Sequence, residues 1–147
     1  MSDLEIATKH LIRHGLSIVI VKKGKIIAED KGKGISPLLG IIDKLGDELS
    51  NASLADKVLG KAAVALSLDV GIKRLYGNIV SENAIDYVNT YGDKNIRIEA
   101  ETVVPFIKNQ NQTDMCPVEK LALKLDNINV IKFELRNFLD DKEKCLT

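Results

Sequence analysis

The chain has 147 residues, which is enough for one domain with a full hydrophobic core and too few for two ordinary domains. Hydrophobic residues make up 45% and charged residues 29%, a composition typical of globular rather than disordered proteins. Lysine plus arginine and aspartate plus glutamate both total 21, so the net charge is zero, which argues against a general nucleic-acid or anionic-membrane binder but leaves room for a local basic patch.

The start of the chain predicts a helix followed by a β-hairpin. Apolar residues recur at helical spacing through Asp3–His14, and Gly15 supplies a stop after it. The β-branched runs Ser17–Lys22 and Lys25–Glu29 are separated by a Lys-Gly pair, which is typical of a hairpin turn. The chain is therefore expected to enter its sheet as two neighbouring antiparallel strands.

Two helices and a strand are predicted next. Ser36 as N-cap and Pro37 at the first helical position open an apolar helix. Ser53–Leu59 is predicted to be a strand. After a single glycine, the alanine-rich segment Lys61–Asp69 is predicted to be a buried helix.

The following segment repeats the alternation of strand and helix. Lys73–Val80 predicts a strand, and Ser81 caps a helix that extends to about Tyr91. Ile96–Val104 predicts a further strand, which a proline ends. Strands that alternate with helices favour parallel pairing in the sheet.

Residues 106–147 are predicted to form a C-terminal loop and helical extension of a single domain that spans residues 1–147. A polar loop fills positions 106–114, and short helices are expected at Pro117–Leu125 and Val130–Leu139. The charged residues after Leu139 are expected to fray. The sequence contains no internal repeat and no low-complexity linker.

The order of elements places the chain in the α/β class. The expected architecture is a three-layer α/β/α sandwich around a mixed, mostly parallel five-stranded sheet, because the opening hairpin adds an antiparallel pair. In topology this order resembles cytidine-deaminase-like domains.

Three stretches sharpen the resemblance: Asp56–Ala63 (DKVLGKAA), Val104–Ile107 (VPFI) and Cys116–Lys120 (CPVEK). Together they resemble an uncharacterised microbial family with a cytidine-deaminase-like fold, domain of unknown function 1893. The resemblance covers nearly the whole chain. It implies a fold and no established activity.

The residues that hold zinc in deaminases of this fold are missing. Those enzymes open one helix with a His or Cys followed by a Glu, and the next with P-C-x-x-C. Here the two helices open with Gly34–Pro37 and Leu59–Ala63, which offer neither thiolate nor imidazole. We therefore expect no metal and no cofactor. His10 and His14 share a helix face and are interpreted as cations near its C-terminus.

The first candidate site lies where the second and third helices begin. In the resembling fold these helix starts face one pocket, and their free N–H groups suit a phosphate or carboxylate. The residues expected to bind a ligand there are Ser36, Asp56, Lys57, Gly60 and Lys61. The alternative is a plain strand-to-helix turn with solvated lysines.

The polar loop is the second candidate. Within Lys108–Asp114, the side chains of Asn109 and Asn111 would hydrogen-bond a ligand if the loop covers the pocket. The alternative is a solvated connection with no role in binding.

Cys116 is the candidate catalytic residue. It precedes Pro117 and would be the N-cap of a helix, where the helix dipole lowers the pKa of a thiol, with Lys120 adding positive charge. Such a thiol can act as a nucleophile or a redox sensor, but it also needs a general base. The alternative is a half-buried structural cysteine.

Three functions remain open from the sequence: binding of a small nucleotide-like or anionic metabolite, thiol-dependent catalysis, and a non-catalytic scaffold or interaction role. Two cysteines, Cys116 and Cys145, do not make a disulfide framework, and the N-terminus has no signal-peptide core, so a cytoplasmic location is expected. The expected partner is a small molecule rather than nucleic acid or membrane, and the sequence permits a homodimer.

Overall fold

The computed structural model describes residues 1–146, with side-chain surroundings described as far as Asp140. The predicted bounds of the first helix, third strand and third helix are confirmed. The strands are β1 (Ile18–Lys22), β2 (Lys25–Asp30), β3 (Ser53–Leu59), β4 (Arg74–Ser81) and β5 (Arg97–Val104). The α-helices are α1 (Asp3–His14), α2 (Ser36–Leu45), α3 (Lys61–Asp69), α4 (Glu82–Tyr91), α5 (Pro117–Ala122) and α6 (Ile128–Leu146).

The five strands form one sheet in the order β2-β1-β3-β4-β5. β1 pairs antiparallel with both β2 and β3, whereas β3, β4 and β5 pair in parallel. Four strands therefore point one way and β1 opposes them, which confirms the predicted mixed five-stranded sheet. The hairpin turn has positive φ at Lys23 (51°) and Gly24 (78°), as a two-residue turn between twisted strands requires.

The sheet carries a separate apolar core on each face. Successive residues of β1 alternate between the two: Ile18 and Ile20 join the larger core, whereas Val19 and Val21 join the smaller one. In the described residues, the smaller core is covered by the apolar stripe of α1. The larger core lies under α2 to α6, so most of the helical mass packs on one face.

The helix α3 is enclosed on nearly all sides. Every residue from Lys61 to Ser67 is buried, because α3 packs against β3, α4, α5 and α6. Its alanine-rich sequence suits this position, since small side chains let neighbouring elements approach closely. The predicted burial of this helix is confirmed.

The start of α2 differs from the prediction. Ser36 is not the N-cap; it is the first helical residue, Ile35 occupies the cap position, and no side chain caps the helix. The backbone N–H of Leu39 donates to Ile35 O at 3.1 Å. Ile35 is buried in the larger core, so core packing rather than a hydroxyl cap fixes where this helix begins.

The C-terminal helices also differ from the prediction. α5 ends at Ala122, three residues early, and α6 extends from Ile128 to Leu146, so the predicted fraying after Leu139 is wrong. The side chain of Asn127 accepts hydrogen bonds at the start of α6 from the backbone N–H groups of Asn129 and Val130. This cap begins the helix two residues earlier than apolar spacing alone indicates.

Two glycines are expected to respond to alanine in opposite directions. Gly71 has φ of +91°, and a Cβ there would lie 2.9 Å from Ser50 Oγ and 3.1 Å from Ser50 Cα. Gly71→Ala is therefore expected to lower the free energy of unfolding by roughly 1–3 kcal/mol. Gly40 lies inside α2 with nothing within 4 Å of a Cβ, so Gly40→Ala is expected to raise that energy by about 0.5–1 kcal/mol.

Urea unfolding of the two variants beside the parent protein measures both shifts. The sign difference is the critical result. Equal shifts of one sign would contradict the backbone conformation at Gly71.

Candidate functional site

β2 and β3 lie on either side of β1 and run in the same direction, so their carboxyl ends lie at the same end of the sheet. Asp30, the last residue of β2, and Asp56 of β3 both pair with Ile18 of β1. The helices that follow these strands, α2 and α3, therefore begin at the same edge, and both contribute side chains to the larger core. Neither Ser36 nor Gly60 borders the two cavities described below.

Asp56 is a carboxyl residue inside a central strand. Its partners in the register are Ile18 on β1 and Gly77 on β4, so its side chain belongs to the face of the larger core. Gly77 has no side chain, and a Cβ there would lie 3.1 Å from Leu59 Cδ1 and 2.5 Å from Val80 Cγ2. Hydrocarbon therefore fills the position next to Asp56 on the sheet.

Burial raises the pKa of Asp56 to about 7, although the backbone N–H groups of Val58 and Lys57 act in the opposite direction. One carboxyl oxygen accepts from Val58 N at 3.1 Å. The other has no hydrogen-bond partner among the described residues. Among the described residues, every side-chain oxygen that is sealed from solvent has a hydrogen-bond partner. The second oxygen of Asp56 has none, so it must be accessible to solvent. Asp56 is thus a half-buried carboxyl that can bind a proton near neutral pH.

The predicted anion position at the start of α3 is occupied by Glu119 of α5. This side chain is 2% exposed, and its Oε1 accepts from Lys61 N at 3.1 Å. The same oxygen lies 3.2 Å from the position of a Cβ on Gly60, so the glycine does permit a close approach. The group that approaches Gly60 is a carboxylate of the chain itself.

Two further donors complete the environment of Glu119. Ser81 Oγ donates to its Oε1 at 3.1 Å, and Ile107 N donates to its Oε2 at 2.6 Å. Ser81 is also the N-cap of α4, where its Oγ accepts from Ala84 N at 3.1 Å. One carboxylate thus joins the N-termini of α3 and α4 to the strand exit after β5, a position that helix dipoles favour.

Sequence reasoning missed this role of Glu119. An acidic residue three positions after a helix N-cap ordinarily complements its own helix. The hydrogen-bond partners of Glu119 are instead Lys61, 58 positions away, and Ser81, 38 positions away. The sequence signal for this role is that Glu119 lies three residues before Ala122, on the side of α5 that is buried.

The lysines of the predicted site point in different directions. Lys61 is 7% exposed, and its Nζ contacts Leu123 O at 3.2 Å and Asp126 Oδ1 at 3.1 Å, which ties α3 to the segment between α5 and α6. Lys57 is exposed, as is Ser36 at the start of α2. Lys57 follows Asp56 in β3, so its side chain points to the opposite face of the sheet. Of the predicted charged residues, Asp56 thus remains as the candidate on the face that α2 and α3 cover.

The polar loop is held by its own hydrogen bonds. Asn109 Oδ1 accepts from Thr113 N at 3.0 Å, and Asn109 Nδ2 donates to Thr113 Oγ1 at 3.1 Å. Lys108 and Met115 form an isolated antiparallel bridge that closes the loop. Asn111 is exposed at the tip. Asn109 therefore holds the loop in shape, whereas the side chain of Asn111 is exposed and accessible to a ligand.

Cys116 is the N-cap of α5, as predicted, and is partly buried. Its backbone N–H donates to Ile107 O at 2.7 Å, but its side chain makes no capping hydrogen bond. Lys120, expected to assist the thiol, pairs with Asp114 at 2.8 Å instead. Both histidines lie on α1, which packs on the opposite face of the sheet, so neither can serve Cys116 as a base. Cys145 lies outside the residues with described side-chain surroundings.

Two cavities border the described residues, and neither is lined by the predicted site. One has a volume of about 220 Å³ and lies between α1 and the β4–β5 part of the sheet. The other, of about 410 Å³, is a groove between β2 and α2 that reaches the sheet edge at Asp30 and Pro37. Asp56 borders neither of these two cavities.

The described part of the chain contains neither a metal-binding cluster nor a membrane-spanning helix. There, no three His, Cys, Asp or Glu side chains come together closely enough to share a metal ion. No helix in it has the length and apolarity needed to cross a bilayer.

Comparisons with known proteins give a family and a structural neighbour. A family model described as "TM1506: Domain of unknown function (DUF1893)" matches residues 6–139. The chain is similar to the crystal structure of a DUF1893 family protein (TM1506) from Thermotoga maritima, with 28% sequence identity and a TM-score of 0.76. That likeness covers 90% of this chain and 85% of the other. No curated protein matches the sequence.

Proposed function

The chain belongs to the DUF1893 family, whose description assigns no function. We propose that it binds a small nucleotide-like metabolite beside Asp56. The observation that carries the proposal is Asp56 itself: a desolvated carboxyl, with a pKa raised to about 7, in the middle of a sheet. Strongly shifted carboxyl groups cluster at functional sites, where burial and neighbouring charges tune them for proton transfer or ligand contact.

The chemistry of Asp56 suits the edge of a nucleobase. A carboxyl group near its pKa can accept a hydrogen bond through one oxygen and donate one through the other. Nucleobase edges present a donor and an acceptor side by side, and carboxyl groups recognise such edges in other complexes. Asp56 Oδ1 accepts from Val58 N and keeps a second lone pair for a ligand donor, while the other oxygen can donate to a ligand acceptor when it is protonated.

The rest of the ligand would contact exposed groups at the same edge. Glu119 already accepts from the first N–H of α3, so an anionic group of the ligand would contact the exposed hydroxyl of Ser36 instead. Asn111 at the loop tip adds a further amide. Gly60 and Lys61 then position Glu119 and α5 rather than the ligand.

We interpret the fold as a cytidine-deaminase-like three-layer arrangement. The support is the strand order with β1 alone antiparallel, α1 on one face and the remaining helices on the other. The residues that open α2 and α3 do not fit a zinc ion, because they provide no sulfur or imidazole nitrogen.

The two alternative functions gain no comparable support. Thiol catalysis by Cys116 needs a general base, and Asp56 or Lys61 would be the acid–base partner. Lys61 instead pairs with Asp126. Asp56 is hydrogen-bonded to Val58 rather than to the thiol, and the histidines lie across the sheet. A purely structural role, including a homodimer scaffold, predicts no selective small-molecule binding, so the following experiment also tests it.

Binding is tested with the four common nucleoside 5′-monophosphates and ribose 5-phosphate as separate probes. We expect at least one nucleotide to raise the melting temperature, and ribose 5-phosphate, which lacks a base, to raise it less. Asp56→Asn is expected to weaken nucleotide binding by roughly tenfold, because one hydrogen-bonding group at the base edge changes. Asp86→Asn, on the exposed side of α4, is the matched control and should bind as the parent does.

Two outcomes would contradict the proposal. One is the absence of any nucleotide effect at millimolar concentration. The other is equal affinity in the Asp56→Asn and Asp86→Asn variants. Either result favours a scaffold role.

A further inference from the structure

A second site lies on the other face of the sheet. The cavity of about 220 Å³ is formed where the first turns of α1 cross β4 and β5. Six of its seven lining residues carry a polar side-chain group, although their carbon atoms form much of the surface: Ser2, Leu4, Glu5, Thr8, Lys9, Tyr76 and Glu99. Because the sheet separates this cavity from Asp56, the two sites are independent.

Tyr76 lies at the base of this cavity. Its side chain belongs to the smaller core and is only 8% exposed, yet its hydroxyl has no hydrogen-bond partner among the described residues. Because every sealed side-chain oxygen among those residues has a partner, the Tyr76 hydroxyl must be accessible to solvent, and it faces the cavity that Tyr76 lines. Burial, together with the charges of Glu101 and Glu99, raises the pKa of Tyr76, so the hydroxyl remains a hydrogen-bond donor.

The charged groups around the cavity are not paired with one another. Glu5 and Lys9 are one helical turn apart, in the order that normally favours an ion pair. Lys9 Nζ instead contacts Met1 Sδ at 3.2 Å. Within the described part of the chain, Glu5 and Glu99 form no ion pair either, and Glu99 stands beside Tyr76 in the register. One ammonium group, two carboxylates and a hydroxyl with no protein partner among the described residues thus line the same cavity.

We propose that this cavity binds a small α-ammonium carboxylate, the chemical class of the free amino acids. The ligand's carboxylate would accept hydrogen bonds from Lys9 and the Tyr76 hydroxyl, and its ammonium group would lie between the carboxylates of Glu5 and Glu99. A molecule with both charges complements the lining, whereas a simple anion or a simple cation satisfies only one side of it.

The test compares three small probes of similar size: L-alanine, ethylamine and propionate. Titration of the ¹⁵N-labelled protein, followed by amide chemical shifts, is expected to give binding of L-alanine roughly tenfold tighter than either single-charge probe. The shifted amides should belong to α1, β4 and β5. Tyr76→Phe, which removes only the oxygen, is expected to weaken L-alanine binding by roughly threefold to tenfold.

Controls separate this effect from a general disturbance. Tyr91→Phe changes a tyrosine that is 52% exposed on α4 and should leave L-alanine binding unchanged. Lys9→Gln should abolish the preference for L-alanine over ethylamine, and Glu99→Gln provides a second folded variant that should weaken the ammonium contact. Equal binding of the three probes, or unchanged binding in both Tyr76→Phe and Glu99→Gln, would overturn the proposal.

Discussion

Glu119→Ala is expected to lower the free energy of unfolding by about 3–5 kcal/mol, which is large for a single replacement in a domain of this size. The carboxylate accepts from Lys61 N, Ser81 Oγ and Ile107 N in a position that is 2% exposed. Its removal leaves those donors without a partner away from water, and each buried unsatisfied group costs roughly 1–3 kcal/mol. Urea unfolding measures the loss directly.

Two further variants sharpen this test. Glu119→Gln keeps the shape but replaces one acceptor oxygen by an NH₂ group, so we expect a smaller loss in the same direction. Glu101→Ala, on the exposed strand β5, is the matched control and should stay within about 0.5 kcal/mol of the parent. A loss for Glu119→Ala no greater than that of Glu101→Ala would show that this carboxylate does not hold α3, α4 and α5 together.

Asp56 is expected to make stability depend on pH between about 4 and about 7. The folded pKa of about 7 exceeds the value near ~3.9 of an unfolded aspartate, so the folded chain binds the additional proton in this window. Stability from this group is therefore complete below about pH 4, falls as pH rises towards 7, and is constant above it. At about 1.4 kcal/mol per pH unit, a difference of roughly three units changes the free energy of unfolding by about 4 kcal/mol.

Asp56→Asn isolates this contribution. The amide cannot ionise but can still accept from Val58 N, so the variant is expected to lose the slope between pH 4 and 7 and to exceed the parent in stability at pH 8. Asp86→Asn again serves as the control. A difference between parent and Asp56→Asn that does not change with pH would contradict the desolvation of this carboxyl.

Local signals in the sequence were sufficient for most of the fold. Apolar periodicity and a following glycine defined α1, and two β-branched runs around a Lys-Gly pair defined the hairpin. The connection through Gly60 placed α3 directly after its strand. These features depend on residues close in sequence, which is why propensity and periodicity find them.

The site required contacts between residues far apart in sequence. Ser36 was predicted as a cap from its residue type, but burial of Ile35 starts α2 one residue earlier. Lys61 was expected to face a ligand, yet it contacts Asp126 in a segment that pattern reasoning could not position. The environment of Asp56 depends on register with Ile18 and Gly77, and a register cannot be read from one strand.

The most direct test of the account follows the side-chain carboxyl carbon of Asp56 by ¹³C NMR from pH 4 to 9. We expect the Asp56 carboxyl to titrate with a midpoint near 7 in the free protein, and we expect the tightest-binding nucleotide to displace this midpoint. A midpoint near ~3.9, the value for a solvated aspartate, would contradict the account, as would a midpoint that a bound nucleotide leaves unchanged.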